Sequence, residues 1–167
     1  MTPAYIGIGS NLNDPSRQIR SALELLDAIP GSRLVSRSSL YHSAPFGPVE
    51  QPDFVNAVAR LHTSLGARAL LGHLQRIEQL QGREPGVRWG PRVLDLDLLV
   101  FGDQQIAEPN LTVPHAGIAE RNFVLLPLRE VAPELVIPGL GCVSTIAVNE
   151  FEPQISRVEQ WETAGVR

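Results

Sequence analysis

Arg88-Trp89-Gly90-Pro91-Arg92-Val93-Leu94-Asp95-Leu96-Asp97-Leu98-Leu99 sets two aspartates, two residues apart, in an otherwise aliphatic run. The alternation predicts an extended strand from Val93 to Phe101. In a strand successive side chains point to opposite faces, so Asp95 and Asp97 share one face, about 6–7 Å apart. Leu94, Leu96, Leu98 and Val100 take the other face and are expected in a core. Two anions on a half-buried surface repel each other and are costly to desolvate. A hard divalent cation held by carboxylate oxygens relieves both costs. Arg88 and Arg92, just upstream, are placed to meet an anionic group. Carboxylates for magnesium beside arginines for phosphate make up a phosphoryl-transfer site. A bare Asp-x-Asp also fits two aspartates on the solvated face of an edge strand. The flanking arginines, Trp89 and the Gly90-Pro91 turn weigh against that alternative.

Outward from this segment the chain alternates strand and helix patterns. Ala4 to Ser10 reads as a first strand. Asp14-Pro15 starts a helix, with Asp14 as N-cap and Pro15 in the first turn. Ile19, Ala22, Leu23 and Leu26 form its buried stripe, and Pro30-Gly31 ends it. Arg33 to Tyr41 is a second strand, followed by a Pro- and Gly-rich loop from Ser43 to Asp53. Phe54 to Thr63 is a third strand, with Val55, Ala57, Ala59 and Leu61 on one face and Phe54 and Asn56 on the other. Ala67 to Leu80 is a second helix, with Leu70, Leu71, Leu74 and Ile77 buried and Gln75 and Glu78 off that stripe. The resulting β-α-β-β-α-β order predicts an α+β fold: a ferredoxin-like core with an antiparallel sheet and both helices on one face. Short strands around Gln105-Ile106 and Leu111 to His115, and a helix from Leu126 to Ala132, extend it to a three-layer α/β/α arrangement. The tail from Gly141 has weak periodicity. Residues 1–167 read as one domain, without internal repeat or linker.

Composition narrows the function. The 167 residues are 43% hydrophobic, and no apolar run approaches the ~18–20 residues of a membrane span. The N-terminus lacks the basic start and apolar core of a signal peptide. A lone cysteine, Cys142, excludes an intramolecular disulfide and a Cys-rich zinc site. The expectation is a cytoplasmic enzyme without a membrane partner. A net charge of −4 argues against a general affinity for nucleic acid. All fourteen basic residues are arginine, which closes the Walker-type phosphate loop and Schiff-base chemistry through lysine. Phosphate would be handled by Arg, His, backbone N–H groups and metal.

The quoted segment resembles the signature of the 6-hydroxymethyl-7,8-dihydropterin pyrophosphokinase family. The resemblance runs from Ala4 to about Pro138. Tyr5-Ile6-Gly7-Ile8-Gly9-Ser10-Asn11-Leu12 is similar to the family's opening strand, and Gln51-Pro52-Asp53-Phe54-Val55-Asn56-Ala57 to its pterin-side segment. Leu111-Thr112-Val113-Pro114-His115 and Arg121-Asn122-Phe123-Val124-Leu125 are similar to its later segments. The resemblance implies transfer of pyrophosphate from ATP to 6-hydroxymethyl-7,8-dihydropterin, with AMP leaving, by a monomer. It implies that Asp95 and Asp97 hold two magnesium ions. It gives Arg92 and Arg83 catalytic roles, Arg83 from the loop before the signature. The pterin would lie between Phe54 and Phe123, its edge read by Asn56, with Trp89 nearby and backbone groups of Ser43, Ala44 and Phe46 completing the pocket. Gln75, Glu78, Arg88, Arg92, Leu98, Thr112, His115 and Arg121 would face ATP. Where the family often continues Pro-Arg after His115, this chain has Ala116-Gly117, so one nucleotide contact is absent.

Two other classes share parts of this pattern. Polymerase palms and nucleotidyl cyclases also carry paired carboxylates on a ferredoxin-like sheet, but release pyrophosphate rather than AMP. A non-catalytic RNA-binding module of this fold wants stacked surface aromatics and a basic sheet face. Here aromatics make up 5% of the chain and the candidate face carries two aspartates.

Overall fold

The computed structural model describes residues 1–45, 47–82 and 93–158. In chain order the elements are β1 (Thr2–Ser10), α1 (Pro15–Asp27), β2 (Ser32–Arg37), β3 (Leu40–Ser43), β4 (Phe54–Thr63), α2 (Ala67–Leu80), β5 (Asp95–Phe101), β6 (Ile106–Glu108), β7 (Leu111–Val113), α3 (Asn122–Val131), β8 (Val136–Ile137), β9 (Gly141–Cys142) and β10 (Ile155–Val158). The main sheet is antiparallel in the order β10-β3-β4-β1-β5, with β2 pairing β4 beyond the end of β3. The pairs β6-β7 and β8-β9 form two small separate hairpins.

The alternation of apolar residues explains the layers. Ala4, Ile6 and Ile8 of β1 and Val55, Ala57, Ala59 and Leu61 of β4 face α1 and α2, and bury with Ile19, Ala22, Leu23, Leu26, Leu70 and Leu74. On the opposite face Tyr5, Val58, Leu99 and Val100 bury against Leu125 and Leu128 of α3, with Ile118, Ile137 and Val143. Each fully buried leucine or isoleucine contributes roughly 1.5–3 kcal/mol. The fold is thus held by these two cores, one on each side of the sheet. The expected ferredoxin-like, three-layer α+β arrangement is the one observed.

Four local expectations are corrected. The single second strand is two, because Ser38 interrupts it. Ser38 N–H donates to the Val58 carbonyl (2.8 Å), while its hydroxyl accepts the Val58 N–H (2.9 Å) in place of a ladder carbonyl. Asp14 stands at the N-cap of α1, but with φ of 62° its side chain makes no capping bond. Helix α3 starts at Asn122 rather than Leu126 and carries Pro127 in its interior, although proline is favoured in the first turn. Val100 does not join Leu94, Leu96 and Leu98. The β1–β5 register shifts between Tyr5 and Ile6, which leaves Leu99 as an extra residue. After this bulge Leu99 and Val100 both face α3, and Phe101 returns to the α1/α2 side.

Candidate active site

Helix α3 covers only part of its sheet face. The other part is paved by the starts of β4 and β5 and the end of β1. One rung crosses Tyr41, Asn56, Gly9 and Asp95, and Gly7 sits opposite Asp97. All these positions share the α3 side of the sheet by strand alternation. With strands about 4.8 Å apart, Asn56 and the aspartates lie roughly two strand spacings from each other. Gly9 between them puts no side chain on this face. A Cβ there would lie 2.9 Å from Asn56 Oδ1, so only glycine lets this amide lean over β1.

The Asn56 half is buried and internally hydrogen-bonded. Asn56 Nδ2 donates to Ser43 Oγ (2.9 Å), and both residues are buried. Phe54, opposite Ser43, and Phe123, in the first turn of α3, are half-buried. The N–H of Ala44 donates to the Gln154 carbonyl (3.0 Å), so a ligand contact from the Ala44 backbone falls to its carbonyl. Asn11, which the sequence reading quoted but gave no role, pins the far end of the Pro-rich loop. Its Nδ2 donates to Gln51 Oε1 and to the Pro52 carbonyl, both at 2.9 Å.

The Asp97 half is charged and more open. Asp95 and Asp97 are half-exposed on the edge strand β5. His115 N–H donates to the Leu99 carbonyl (2.8 Å), which hangs the ring beside β5. Its Nε2 lies 4.0 Å from Asp97 Oδ1. Burial pulls the His115 pKa below its ordinary value; Asp97 pushes it back up, and Arg121 adds to the lowering. The ring is therefore neutral near neutral pH, and its approach to Asp97 is a polar contact rather than an ion pair. The Gly117 N–H donates to His115 Nδ1 (3.0 Å), so the neutral ring carries its proton on Nε2. Gly117 also makes room for Arg121, whose Nε and Cζ lie 2.7 and 2.8 Å from where a Cβ would be. Asp97, His115 and Arg121 are thus one cluster.

Other predicted residues take distinct places. Gln75 is exposed on α2 and Thr112 is exposed on β7. Glu78, expected off the buried stripe, is buried, and its carboxylate accepts the Leu96 N–H (2.8 Å). It thereby fixes β5 between the two aspartates. Leu98 is buried on the α1/α2 side, so any nucleotide contact from it comes from its backbone. Phe46, Arg83, Arg88, Trp89 and Arg92 lie outside the described residues. Sequence reading gave no role to Gly117 or Asn122, and assigned Glu78 to ATP without its bond to β5.

The carboxylate pair fits a hard cation that shares its coordination with phosphate oxygens. Both are acceptor-only oxygen ligands, on one face and open to solvent. Among the described residues no group of three or more His, Cys, Asp or Glu side chains surrounds a single point, so the protein would supply only part of a coordination shell. No described helix is long and apolar enough to cross a membrane.

Comparison with known proteins bears on this site. Residues 5–133 match the family model described as 7,8-dihydro-6-hydroxymethylpterin-pyrophosphokinase (HPPK). The chain is 49% identical to a 2-amino-4-hydroxy-6-hydroxymethyldihydropteridine pyrophosphokinase of Haemophilus influenzae, over 90% of this chain and 94% of that one. It is 51% identical to the enzyme of the same name from Pseudomonas aeruginosa, over 89% of this chain and 92% of the relative. A crystal structure of HPPK-DHPS in complex with substrates superposes with a TM-score of 0.71 at 13% identity. That match covers 87% of this chain but 42% of the longer one, and at this identity it establishes the fold alone.

Proposed function

Because the chain belongs to the 7,8-dihydro-6-hydroxymethylpterin-pyrophosphokinase family and is a pyrophosphokinase of folate synthesis, we propose that it joins ATP and 6-hydroxymethyl-7,8-dihydropterin across this face of its sheet. The observation that carries this reading is the rung Asn56–Gly9–Asp95. It sets an amide suited to a ring edge and a carboxylate suited to metal-bound phosphate on the same face of the sheet, with glycine between them.

The pterin hydroxymethyl oxygen attacks the β-phosphorus of ATP. The bond from that phosphorus to the α,β-bridging oxygen breaks, AMP leaves with the oxygen, and the hydroxyl proton is released. Asp95 and Asp97 are the residues that would hold two magnesium ions, which would neutralise phosphate charge and lower the pKa of the attacking hydroxyl. The protein's own side chains orient the reactants. Asn56 satisfies the donor–acceptor edge of the ring, and Phe54 and Phe123 stack on its faces. His115, neutral with its proton on Nε2, donates to a phosphate oxygen without adding a full charge. Arg121 supplies that charge as a planar clamp. By the family resemblance Arg83, Arg88 and Arg92 would add further cationic contacts and Trp89 would lie near the ring.

Incubation with ATP, magnesium and 6-hydroxymethyl-7,8-dihydropterin tests the reading. AMP and the pterin diphosphate are the expected products. Pyrophosphate as product would mean attack at the α-phosphorus and would replace this reading with the cyclase-like one.

A further inference from the structure

The ring side of the site has a second support in the C-terminal segment. Asn122 stands at the start of α3, one residue before Phe123, and is 3% exposed. Its single amide nitrogen donates to two carbonyls, Asn149 O and Pro153 O, both at 2.7 Å. These bracket a turn that is closed from within: the Phe151 N–H donates to Asn149 Oδ1 (2.9 Å), and Phe151 bridges Gln154. Beyond the turn, the Gln154 carbonyl accepts the Ala44 N–H. β10 then continues antiparallel along β3, with Ile155 opposite Ser43. Ser43 Oγ accepts from Asn56. A continuous path of hydrogen bonds and strand pairing therefore starts beside Phe123 and ends on Asn56, from one proposed wall of the ring pocket to the other.

We infer that Asn122 and the turn 149–154 form a clip that fixes the spacing of these walls, so that Asn122 is a positioning residue for the pterin; this rests on the reaction proposed above. The two walls come from elements about 80 residues apart in sequence, the end of β3 and the start of α3. Both flank the part of the sheet face that α3 leaves uncovered. A flat ring tolerates little change in the gap between its stacking partners, because dispersion falls steeply with separation. Asparagine suits the task through its two N–H donors on one atom. Its Oδ1 is buried and has no hydrogen-bond partner among the described residues, so the amide is held by its donor end. Alanine, or the isosteric aspartate, would leave two peptide carbonyls unpaired and release the turn.

The test compares wild type, Asn122→Ala and Ser156→Pro. The last puts a residue without an N–H into β10 and loosens the far end of the clip. Three quantities are read: amide exchange at Ser43, Ala44 and 155–158; the Kd of the pterin measured with a non-hydrolysable ATP analogue bound; and the Kd of that analogue alone. The clip predicts faster exchange at all these amides (position 156 excepted in Ser156→Pro), a pterin Kd raised about tenfold, and an analogue Kd within twofold of wild type in both variants. A merely structural role would lower the thermal midpoint and weaken both ligands together, or neither. Folded variants with wild-type pterin affinity, unchanged exchange at Ser43 and Ala44, or equal losses for both ligands would each overturn the inference. If wild type itself binds no pterin, the proposed reaction falls and takes the clip's role with it. If wild type binds and the variants bind equally well, the inference alone falls.

Discussion

The two halves of the site are built on opposite principles. Around Asn56 the polar groups are buried and hydrogen-bonded to one another: Asn56 to Ser43, Ala44 to Gln154, Asn122 to the C-terminal turn. Around Asp97 they are charged and half-exposed, with 4.0 Å between His115 and the carboxylate. The contrast matches what each half would meet in the proposed reaction. A neutral heterocycle is recognised by shape and a few hydrogen bonds, which gain from a rigid frame. A polyphosphate with its cations brings its own charge.

The sharpest way to break the contrast is to remove charge from the open half. Asp97→Asn keeps shape and is expected to lower kcat by on the order of 10²–10⁴. The fold should persist, since it rests on the two apolar cores and two like charges on one face add no stability. A folded variant, checked by circular dichroism, with near wild-type turnover at saturating magnesium would remove the aspartates from the chemistry. In the buried half Asn56→Ala should cost roughly 1–3 kcal/mol of pterin binding, because ring-edge groups lose their partner. Calorimetry of ATP alone should barely change, and an equal loss there would erase the distinction between the halves.

Smaller changes sharpen it. Gly117→Ala puts a methyl where the Arg121 guanidinium lies, but the arginine is flexible and can move aside. The expected effect is a several-fold rise in the KM for ATP (about 1 kcal/mol or less) with the pterin KM unmoved; a rise confined to pterin would contradict the placement. The smallest effect is on titration. The His115 pKa should be found by NMR below its ordinary 6.5, and lower still in Asp97→Asn, because the Asp97 charge raises it. The sign for stability follows. With the folded pKa below the unfolded one, the unfolded chain binds the proton more readily, so protonation opposes folding. Stability is unaffected above about pH 6.5 and falls as the pH drops through that value. His115→Gln should flatten this part of the pH profile, and an unchanged slope would mean that another group produces it.

The sequence made the apolar framework legible because its signals are local. Ile19, Ala22, Leu23 and Leu26 repeat at helical spacing, and β4 and α2 begin and end where the pattern says. What it concealed depends on distant partners. Ser38 breaks the second strand through Val58, and the adjoining Ser39 is held by Glu130, ninety-one positions away. β10 lacks periodicity because it is a short edge strand whose partner, β3, lies more than a hundred residues earlier. Glu78 looked like a solvated helix residue until β5 came close enough to offer it the Leu96 N–H. In the site, residue types pointed to the chemistry proposed for Asp95, Asp97 and Asn56. The supports that hold them, Gly9, Gly117 and Asn122, work through backbone proximity, which no spacing rule encodes.

The bulge at Leu99 acts as a phase slip in mid-strand. Before it β5 shows carboxylates to one compartment and leucines to another. After it the same strand fills the compartment under α3 with two consecutive apolar side chains, then turns Phe101 back to the side of the leucines. Seven residues thus serve solvent, one core and a second core in turn. The aspartates can sit on the same face as a buried cluster without being drawn into it. Deleting Leu99 would restore strict alternation with Val100 and Phe101 still in their present compartments, at the loss of one apolar side chain under α3. The strand's chemistry and its anchoring are kept apart by one residue of excess length.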